Sequence, residues 1–245
     1  MRFENKKVVI ASSGGSIGVK TAELMAEEGA CVALISLPPK GKVSTQLTDE
    51  VTCENIVSYT VSDFASEEEM EALSKKILEK IGTVDVIVTA LIDKAPEGEW
   101  NEISDEDAHK TVRNILTGAE TVLKFFLPPM IEKESGHVVI VTSVAGRTNV
   151  PGTPWPEALA YAGLGGVIRN GATVFGKNSV TFNGVAVGPV EGMDQPAYIT
   201  ENVSGIWGRK ATGDDVANAV MYLSDDLSCW NTGEIVDLNG GFFAL

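Results

Sequence analysis

The sequence predicts a doubly wound α/β fold, with a parallel sheet of about seven strands in a single domain spanning residues 1–245. Three observations support this prediction. Short apolar runs rich in valine and isoleucine alternate with longer segments of helical periodicity. Those runs are apolar on both faces, which is typical of parallel strands buried between two layers of helices. The chain of 245 residues has no linker-like segment, so one domain accounts for its length.

The elements follow one another in regular alternation. Short apolar runs predict strands at residues 7–12, 31–36, 55–61, 84–90, 137–143, 180–187 and 234–240. Helical spacing of apolar residues predicts helices at 16–28, 66–81, 111–134, 157–176 and 212–224. In open α/β sheets the ligand crevice lies outside the carboxyl ends of the strands. We therefore expect the long loops at 37–52, 91–101 and 144–156 to line it.

Composition excludes several classes of function. A net charge of −15 opposes nucleic-acid binding, which needs lysine and arginine to replace counterions on phosphates. No apolar stretch reaches the roughly 20 residues that span a bilayer, and the start MRFENKKVVI has no long apolar run before a cleavage site, so we expect no targeting leader. Cys31, Cys53 and Cys229 are too far apart for a zinc site and odd in number for a disulfide framework. We expect a cytoplasmic protein that binds no metal, membrane or nucleic acid.

Four motifs, in order, carry a family resemblance. They are the glycine turn ASSGGSIG, the segment TSVAG after the fifth strand, VTFNGVAVGP around the sixth, and the ending WGRKATGDDVANAVMYLSDDLSCWNTGEIVDLNGGF. Over essentially the whole chain this pattern resembles the short-chain dehydrogenase/reductase family. The resemblance implies a Rossmann-type subunit that binds NAD(H) or NADP(H). It also implies assembly into dimers or tetramers through the two longest helices.

The nucleotide-binding turn of that family reads TGxxxGxG, and its counterpart here is degenerate. Ser12 and Ser16 stand in the first two glycine positions, and Gly18 alone keeps its place. The family's glycines permit positive φ and let the backbone approach a pyrophosphate, which a Cβ would obstruct. Gly14, with Gly15, can form a different turn at the same helix N-terminus. The candidate cofactor residues are Ser12, Gly14, Ser16, Ile17, Gly18 and Asp63, and we expect this chain to bind no cofactor.

The adenosine end of the family's site has also lost its selective residues. The second strand ends at Ser36, and neither an acidic residue for the ribose nor a basic one for a 2′-phosphate follows it. Asp63 matches the family's aspartate near the adenine, although an aspartate ahead of a helix is also a common N-cap. The family's Asn-Asn-Ala-Gly turn after the fourth strand reads Thr-Ala-Leu-Ile at residues 89–92.

The catalytic set that the resemblance implies is not intact. Ser143 matches the family's serine, but ungapped alignment places Glu157 at the tyrosine position and Tyr161 at the lysine position. Treating Tyr161 as the displaced tyrosine would put Gly165 in place of the lysine and shorten the helix by about one turn. Without the lysine a tyrosine stays protonated, and losing a positioned acid or base lowers the rate about 10²- to 10⁴-fold. Glu157 is an alternative acid or base, but in the first turn of a helix we expect it on the surface.

The same helix is rich in glycine, which suggests close packing against another helix. Gly163, Gly165, Gly166 and Gly171 each disfavour a helix by up to about 1 kcal/mol relative to alanine. In the resembled family this helix crosses a subunit interface, and packing within the monomer is the alternative. The helix at 111–134 contributes the bulky segment TVLKFFLPPMI. We expect a homologous active subunit to dock on the helices at 111–134 and 157–176.

These features favour a catalytically inactive subunit of a hetero-oligomeric NAD(P)-dependent dehydrogenase, with NAD(H) or NADP(H) bound by the partner subunit. The family offers a precedent, in which a degenerate chain joins a complete one to oxidise the hydroxyacyl-CoA 2-[hydroxy(phenyl)methyl]succinyl-CoA in anaerobic toluene degradation. The chain resembles that degenerate subunit, and no motif here specifies the substrate. The alternative is an active oxidoreductase with a remodelled site that uses Ser143 with Tyr161 or Glu157.

Two non-redox alternatives have less support in the sequence. A halohydrin dehalogenase-like enzyme would need an arginine four residues after a tyrosine, and neither alignment register supplies it. A homo-oligomeric ligand sensor has no positive sign in the sequence. The usual substrate lid of the family corresponds to the short segment 193–205, which carries no informative motif.

Overall fold

The structure, a computed structural model, describes residues 1–38, 55–93, 95–148, 150–192, 207–241 and 243. Its strands are β1 (Lys7–Ser12), β2 (Cys31–Ser36), β3 (Ile56–Thr60), β4 (Val86–Ala90), β5 (Gly136–Ser143), β6 (Val180–Val187) and β7 (Ile235–Leu238). They form one parallel sheet in the order β3-β2-β1-β4-β5-β6-β7. The predicted doubly wound fold with a seven-stranded parallel sheet is therefore confirmed.

Helices cover both faces of the sheet. They are α1 (Ser16–Glu27), α2 (Glu67–Ile81), α3 (Asp105–Val112), α4 (Gly118–Glu132), α5 (Trp155–Phe175) and α6 (Gly213–Leu223). On one face α2, α4 and α5 bury apolar side chains against the sheet, and on the other face α1 and α6 do so. The five central strands, β2, β1, β4, β5 and β6, are buried on both sides, which accounts for their continuous valine and isoleucine content.

The helix predicted at 111–134 begins earlier than expected, so that predicted start is wrong. It begins at Asp105, where the Ser104 hydroxyl caps it by accepting a hydrogen bond from the Asp107 amide. It then passes through a π-helical segment, Arg113–Thr117, and continues as α4. The first two turns bury only Ala108 and Thr111, so they carry little apolar periodicity. A π-segment of this kind often marks a functional site, and this one faces the crevice loops described below.

From β1 the sheet grows in two directions, through β2 and β3 on one side and through β4 to β7 on the other. At this switch between β1 and β4, a crevice opens beyond the carboxyl end of β1. The loops after β1, β4, β5 and β6 meet there. Most of the predicted loop at 37–52, Cys53 and the expected lid at 193–205 lie outside the described residues. Among the helices that are described, none has the length and apolar content needed to cross a bilayer.

Candidate functional site

The turn between β1 and α1 is built on two glycines with positive φ. Gly14 has φ 128° and Gly15 has φ 76°, conformations that side chains with a Cβ rarely adopt. Gly15 caps α1 without any side-chain hydrogen bond, and the first turn of that helix has no acidic residue. The amide groups at the start of α1 are therefore compatible with an anion at this end of the crevice.

Ser12 and Gly18 lie in close contact, which explains why this one motif glycine is kept. A Cβ added to Gly18 would lie 2.4 Å from the Ser12 Cβ. The Ser12 side chain, only 3% exposed, turns back toward the Gly14 backbone, where its hydroxyl lies 3.4 Å from the carbonyl oxygen and 3.5 Å from the nitrogen. The Ser12 side chain thus fills space within the turn where the family's first glycine has no side chain.

Ser13 joins the β1 turn to the loop after β4, a contact that sequence analysis missed. Its hydroxyl donates a hydrogen bond to the Ile92 carbonyl at 2.7 Å and accepts one from the Ile92 amide at 2.9 Å. These bonds stabilise the Leu-Ile turn that replaces the family's Asn-Asn-Ala-Gly. No sequence signal distinguished Ser13 from its neighbours in a serine- and glycine-rich turn.

Asp63 is already engaged at the adenine end of the crevice. One of its carboxylate oxygens accepts a hydrogen bond from the Ala65 amide at 2.8 Å, and the other forms an ion pair with Arg113. Arg113 also donates to the Ala65 carbonyl at 3.2 Å. The N-cap of α2 is Ser66, so the expectation of Asp63 as a plain helix cap is wrong. Asp63 instead fixes the loop after β3 to the π-segment.

The carboxylate of Glu157 and the hydroxyl of Tyr161 lie one turn apart on α5, and both hold the backbone that follows β4. The Glu157 carboxylate accepts a hydrogen bond from the Ala95 amide at 2.8 Å. The Tyr161 hydroxyl donates to the Asp93 carbonyl at 3.1 Å and accepts from the Asp93 amide at 3.3 Å. Glu157 is 1% exposed and Tyr161 3%. The expectation that Glu157 lies on the surface is therefore wrong.

Ser143 ends β5 beside this helix. It is 5% exposed, and its hydroxyl accepts a hydrogen bond from the Ala145 amide at 3.2 Å, which caps a short 3₁₀ turn, Val144–Gly146. Gly146 is packed directly on α5, because a Cβ there would lie 2.5 Å from the Tyr161 carbonyl carbon. The loop that carries Ser143 and the helix that carries Glu157 are consequently held at a fixed distance.

The π-segment supplies a further side chain to the same loop. Asn114 donates a hydrogen bond from Nδ2 to the Asp93 carboxylate at 2.7 Å. Ile115, the next residue of the π-segment, is fully buried in the core. Asn114, Glu157 and Tyr161 thus bind Asp93 or Ala95 from two helices.

A bidentate ion pair fixes the loop after β5 to the last strand. Arg147 donates from Nε and Nη2 to the two carboxylate oxygens of Asp237, each at 3.0 Å. The hydrogen bonds to Asp237 raise the pKa of Arg147 above its usual value. This pair was not predicted, because no local pattern relates the two residues.

At several described positions of the family's dinucleotide site, the chain's own groups engage one another. The start of α1 suits a phosphate, but the Ser12 side chain lies in the turn and both oxygens of Asp63 are engaged. At the nicotinamide end, Tyr161 stands where the family places its lysine, and its hydroxyl binds backbone. Among the described residues, no group of three or more potential ligands is placed to hold a metal ion.

The glycines of α5 serve packing within the chain at two positions. A Cβ on Gly171 would lie 2.3 Å from the Phe182 ring, and one on Gly163 would lie 3.1 Å from Leu116. A Cβ on Gly166 would meet nothing within 4 Å, and its surroundings are open. Many bulky residues of α4 are buried in the chain's own core. The outward apolar face of α5 includes Leu159 and Val174, which are 54% and 42% exposed.

Comparison with known proteins gives consistent matches over the whole chain. The family model described as enoyl-(acyl carrier protein) reductase matches residues 11–243. The 3-oxoacyl-[acyl-carrier-protein] reductase of Chlamydia muridarum is 26% identical over 251 residues, which cover 97% of each chain. Levodione reductase has the same fold, with a TM-score of 0.88 and 24% identity over 98% of each chain. Carveol dehydrogenase from Mycobacterium avium, in complex with NAD, gives a TM-score of 0.86 and 21% identity over 98% of each chain.

Proposed function

We propose that this chain, which belongs to the short-chain dehydrogenase/reductase family, is a catalytically inactive subunit that assembles with an active homologous chain. The active chain would bind NAD(H) or NADP(H) and carry out the hydride transfer. In this proposal the present chain supplies a folded scaffold and an association surface, and it binds no cofactor itself.

The use of Glu157 and Tyr161 as backbone anchors carries the proposal. A proton-transfer group must present its oxygen to a substrate, whereas these two oxygens accept or donate hydrogen bonds to the segment from Asp93 to Ala95. No lysine follows either residue at the family's spacing, because Tyr161 and Gly165 stand at those positions. Helix α5 therefore lacks the lysine that, in the family, lowers the pKa of the phenol and holds the nicotinamide ribose.

In this proposal, the three residues at the family's catalytic positions therefore have structural roles. Ser143 caps the turn that packs on α5, and Glu157 and Tyr161 keep the loop after β4 closed on the same helix. In a subunit without catalytic activity, such buried polar groups can hold loops in place, because each one forms hydrogen bonds with the backbone.

We further propose that the partner docks on α5 and on the helix formed by α3, the π-segment and α4, within residues 111–134 and 157–176. The open position at Gly166 and the exposed Leu159 and Val174 support α5 as the contact face. For the complex we propose a hydroxyacyl thioester as substrate, such as 2-[hydroxy(phenyl)methyl]succinyl-CoA. The 3-oxoacyl-[acyl-carrier-protein] reductase relative supports this substrate class. A 3-oxoacyl group and a 3-hydroxyacyl group differ only in the oxidation state of carbon 3.

One observation favours the alternative of an active oxidoreductase with a remodelled site. Glu157 is buried beside Tyr161, and burial is a common means of adapting a carboxyl group for acid–base chemistry. In that case Ser143 with Tyr161 or Glu157 would act on the substrate, and changing either residue would abolish turnover by the purified chain.

The deciding experiment is purification from the native host, followed by two measurements. We expect a second dehydrogenase-like chain to co-elute, and we expect the present chain alone to give no NADH fluorescence enhancement. Tyr161→Phe is expected to leave the activity of the reconstituted complex within about two-fold, whereas loss of a catalytic acid would lower it at least about 100-fold. Tyr222→Phe, at an exposed tyrosine of α6, is the matched control. A homogeneous oligomer that binds NADH tightly and turns over substrate would overturn the proposal.

A further inference from the structure

The backbone that follows β4 runs between the β1 turn and α5 as a short strap. We define the strap as Leu91, Ile92, Asp93 and Ala95. The amides of Ile92, Asp93 and Ala95 each donate a hydrogen bond to a side-chain oxygen. Side chains from other elements, rather than pairing with a neighbouring strand, therefore hold the strap in its closed position.

The side chains that anchor the strap lie on two sides of it. In the sheet β1 is next to β4 on one side and β5 on the other, and α5 packs on β5 and β6. From the β1 side, the Ser13 hydroxyl accepts from the Ile92 amide at 2.9 Å and donates to the Ile92 carbonyl at 2.7 Å. From the α5 side, the Tyr161 hydroxyl accepts from the Asp93 amide at 3.3 Å. Neighbouring residues of the strap are thus bound from different elements.

Leu91 fixes the start of the strap in the core. It is 3% exposed and packs against the start of α4, where a Cβ on Gly118 would lie 2.9 Å from the Leu91 Cδ1. Ile92 and Asp93, in contrast, are partly exposed. The strap beyond Leu91 therefore depends on polar anchors, whereas Leu91 itself is held by apolar packing and is suited to act as a hinge.

The strap covers the two oxygens at the family's tyrosine and lysine positions. Glu157 is 1% exposed and Tyr161 3%, and strap amides donate to the carboxylate of the first and the hydroxyl of the second. An acid or base must come within hydrogen-bond distance of the group with which it exchanges a proton. In the closed position these oxygens face the backbone of the strap.

From these contacts we infer that the strap is a lid over Glu157 and Tyr161 that opens as one unit about Leu91, so that releasing it on one side also frees it on the other. Local opening of such short segments is common in folded proteins. The inference goes beyond the proposed function, because it concerns a motion of this chain alone and is the same whether or not the uncovered oxygens act on a substrate.

Amide hydrogen exchange of the ¹⁵N-labelled full chain tests the inference. The rates at Ile92, Asp93 and Ala95 are compared with the rate at Val139, which lies in the buried strand β5. Ser13→Ala releases the strap on the β1 side, and Tyr161→Phe releases it on the α5 side. Tyr222→Phe, at an exposed tyrosine of α6, is the matched control.

The expected result is an effect at amides that the changed residue does not bind. Ser13→Ala should speed exchange at Asp93 and Ala95 at least about five-fold, because losing one hydrogen bond shifts an opening equilibrium by about that factor. Tyr161→Phe should do the same at Ile92. Tyr222→Phe should change these rates by less than about two-fold.

Nitration by tetranitromethane gives a second measurement, since the reagent must reach the tyrosine ring. We expect Ser13→Ala to raise the nitration rate of Tyr161 about five-fold, as measured by peptide mass spectrometry. Tyr222 in the same sample is the internal reference, and its rate should stay unchanged. Unchanged nitration of Tyr161 in this variant would contradict its coverage by the strap.

Two exchange results would overturn the inference. In the first, each substitution speeds exchange only at the amide that the changed side chain binds, which would mean independent anchors. In the second, the strap amides of the unchanged protein exchange no faster than Val139, which would mean that the strap opens only on global unfolding. If Ser13→Ala also speeds exchange at Val139, Asn114→Ala replaces it, because this variant removes only the bond to the Asp93 carboxylate and carries the same expectation for Ile92 and Ala95.

Discussion

The exchange of Tyr161 for phenylalanine separates a structural role from a catalytic one. The substitution keeps the ring, which is 3% exposed, and removes only the oxygen that exchanges hydrogen bonds of 3.1 and 3.3 Å with the Asp93 backbone. Each such bond contributes about 1 kcal/mol net, so we expect a loss of about 2 kcal/mol in the free energy of unfolding. For a chain of this length that corresponds to a melting temperature lower by roughly 4–8 °C.

Urea unfolding followed by circular dichroism measures this change in the free energy of unfolding. The control is Tyr222→Phe, whose hydroxyl accepts from Asn231 at 3.2 Å on an exposed surface. We expect the control to change the unfolding free energy by less than about 0.5 kcal/mol. The reasoning would be refuted if Tyr161→Phe left stability unchanged while abolishing the activity of the complex, because the hydroxyl would then act on substrate rather than on the loop.

Three further predictions concern packing and charge. Gly146→Ala should destabilise the chain by about 3 kcal/mol or more, because the added Cβ meets the backbone of α5. Gly166→Ala should stabilise it by about 0.5–1 kcal/mol, because the added Cβ meets nothing within 4 Å and alanine favours a helix. Chemical denaturation of both variants measures this contrast. Glu157→Ala should cost about 2–4 kcal/mol and expose the loop amide of Ala95 to hydrogen exchange, and unchanged protection would contradict the anchoring role. The hydrogen bonds from Arg209 are the largest cause that lowers the pKa of Asp215 to about 2. The stabilisation that ionised Asp215 gives the folded chain is therefore complete above about pH 4 and is lost as the pH falls toward 2. Arg209→Met should therefore reduce the loss of unfolding free energy between about pH 4 and pH 2, and an unchanged acid titration would argue against the ion pair.

The fold was predictable because its strands carry a strong local signal. The bounds of β1, β2 and β6 agree with the predicted runs 7–12, 31–36 and 180–187, since both faces of these strands are buried and apolar. The start of α3 was missed because its first turns are polar and lie mostly outside the core. Ser104 followed by three acidic residues was the available signal, as a cap with favourable charge in the first turn.

The site residues stay a prediction from alignment, and their contacts were not predictable from the sequence. Alignment places Glu157 and Tyr161 at the positions of the family's tyrosine and lysine. What they bind depends on a backbone segment that is 62 to 68 residues away in the sequence. The expected surface position of Glu157 followed from local helix rules, which do not register a distant loop folding over the first turn of a helix. The engagement of Asp63 with Arg113 was hidden for the same reason.

The pairing of Arg147 with Asp237 spans 90 residues, nearly to the end of the chain. During synthesis the loop after β5 leaves the ribosome well before its carboxylate anchor does. The loop after β5 is therefore fixed to the sheet only when the final strand docks at its edge. A nascent chain halted before β7 should expose this loop to proteases even though its first six strands are already available to pair.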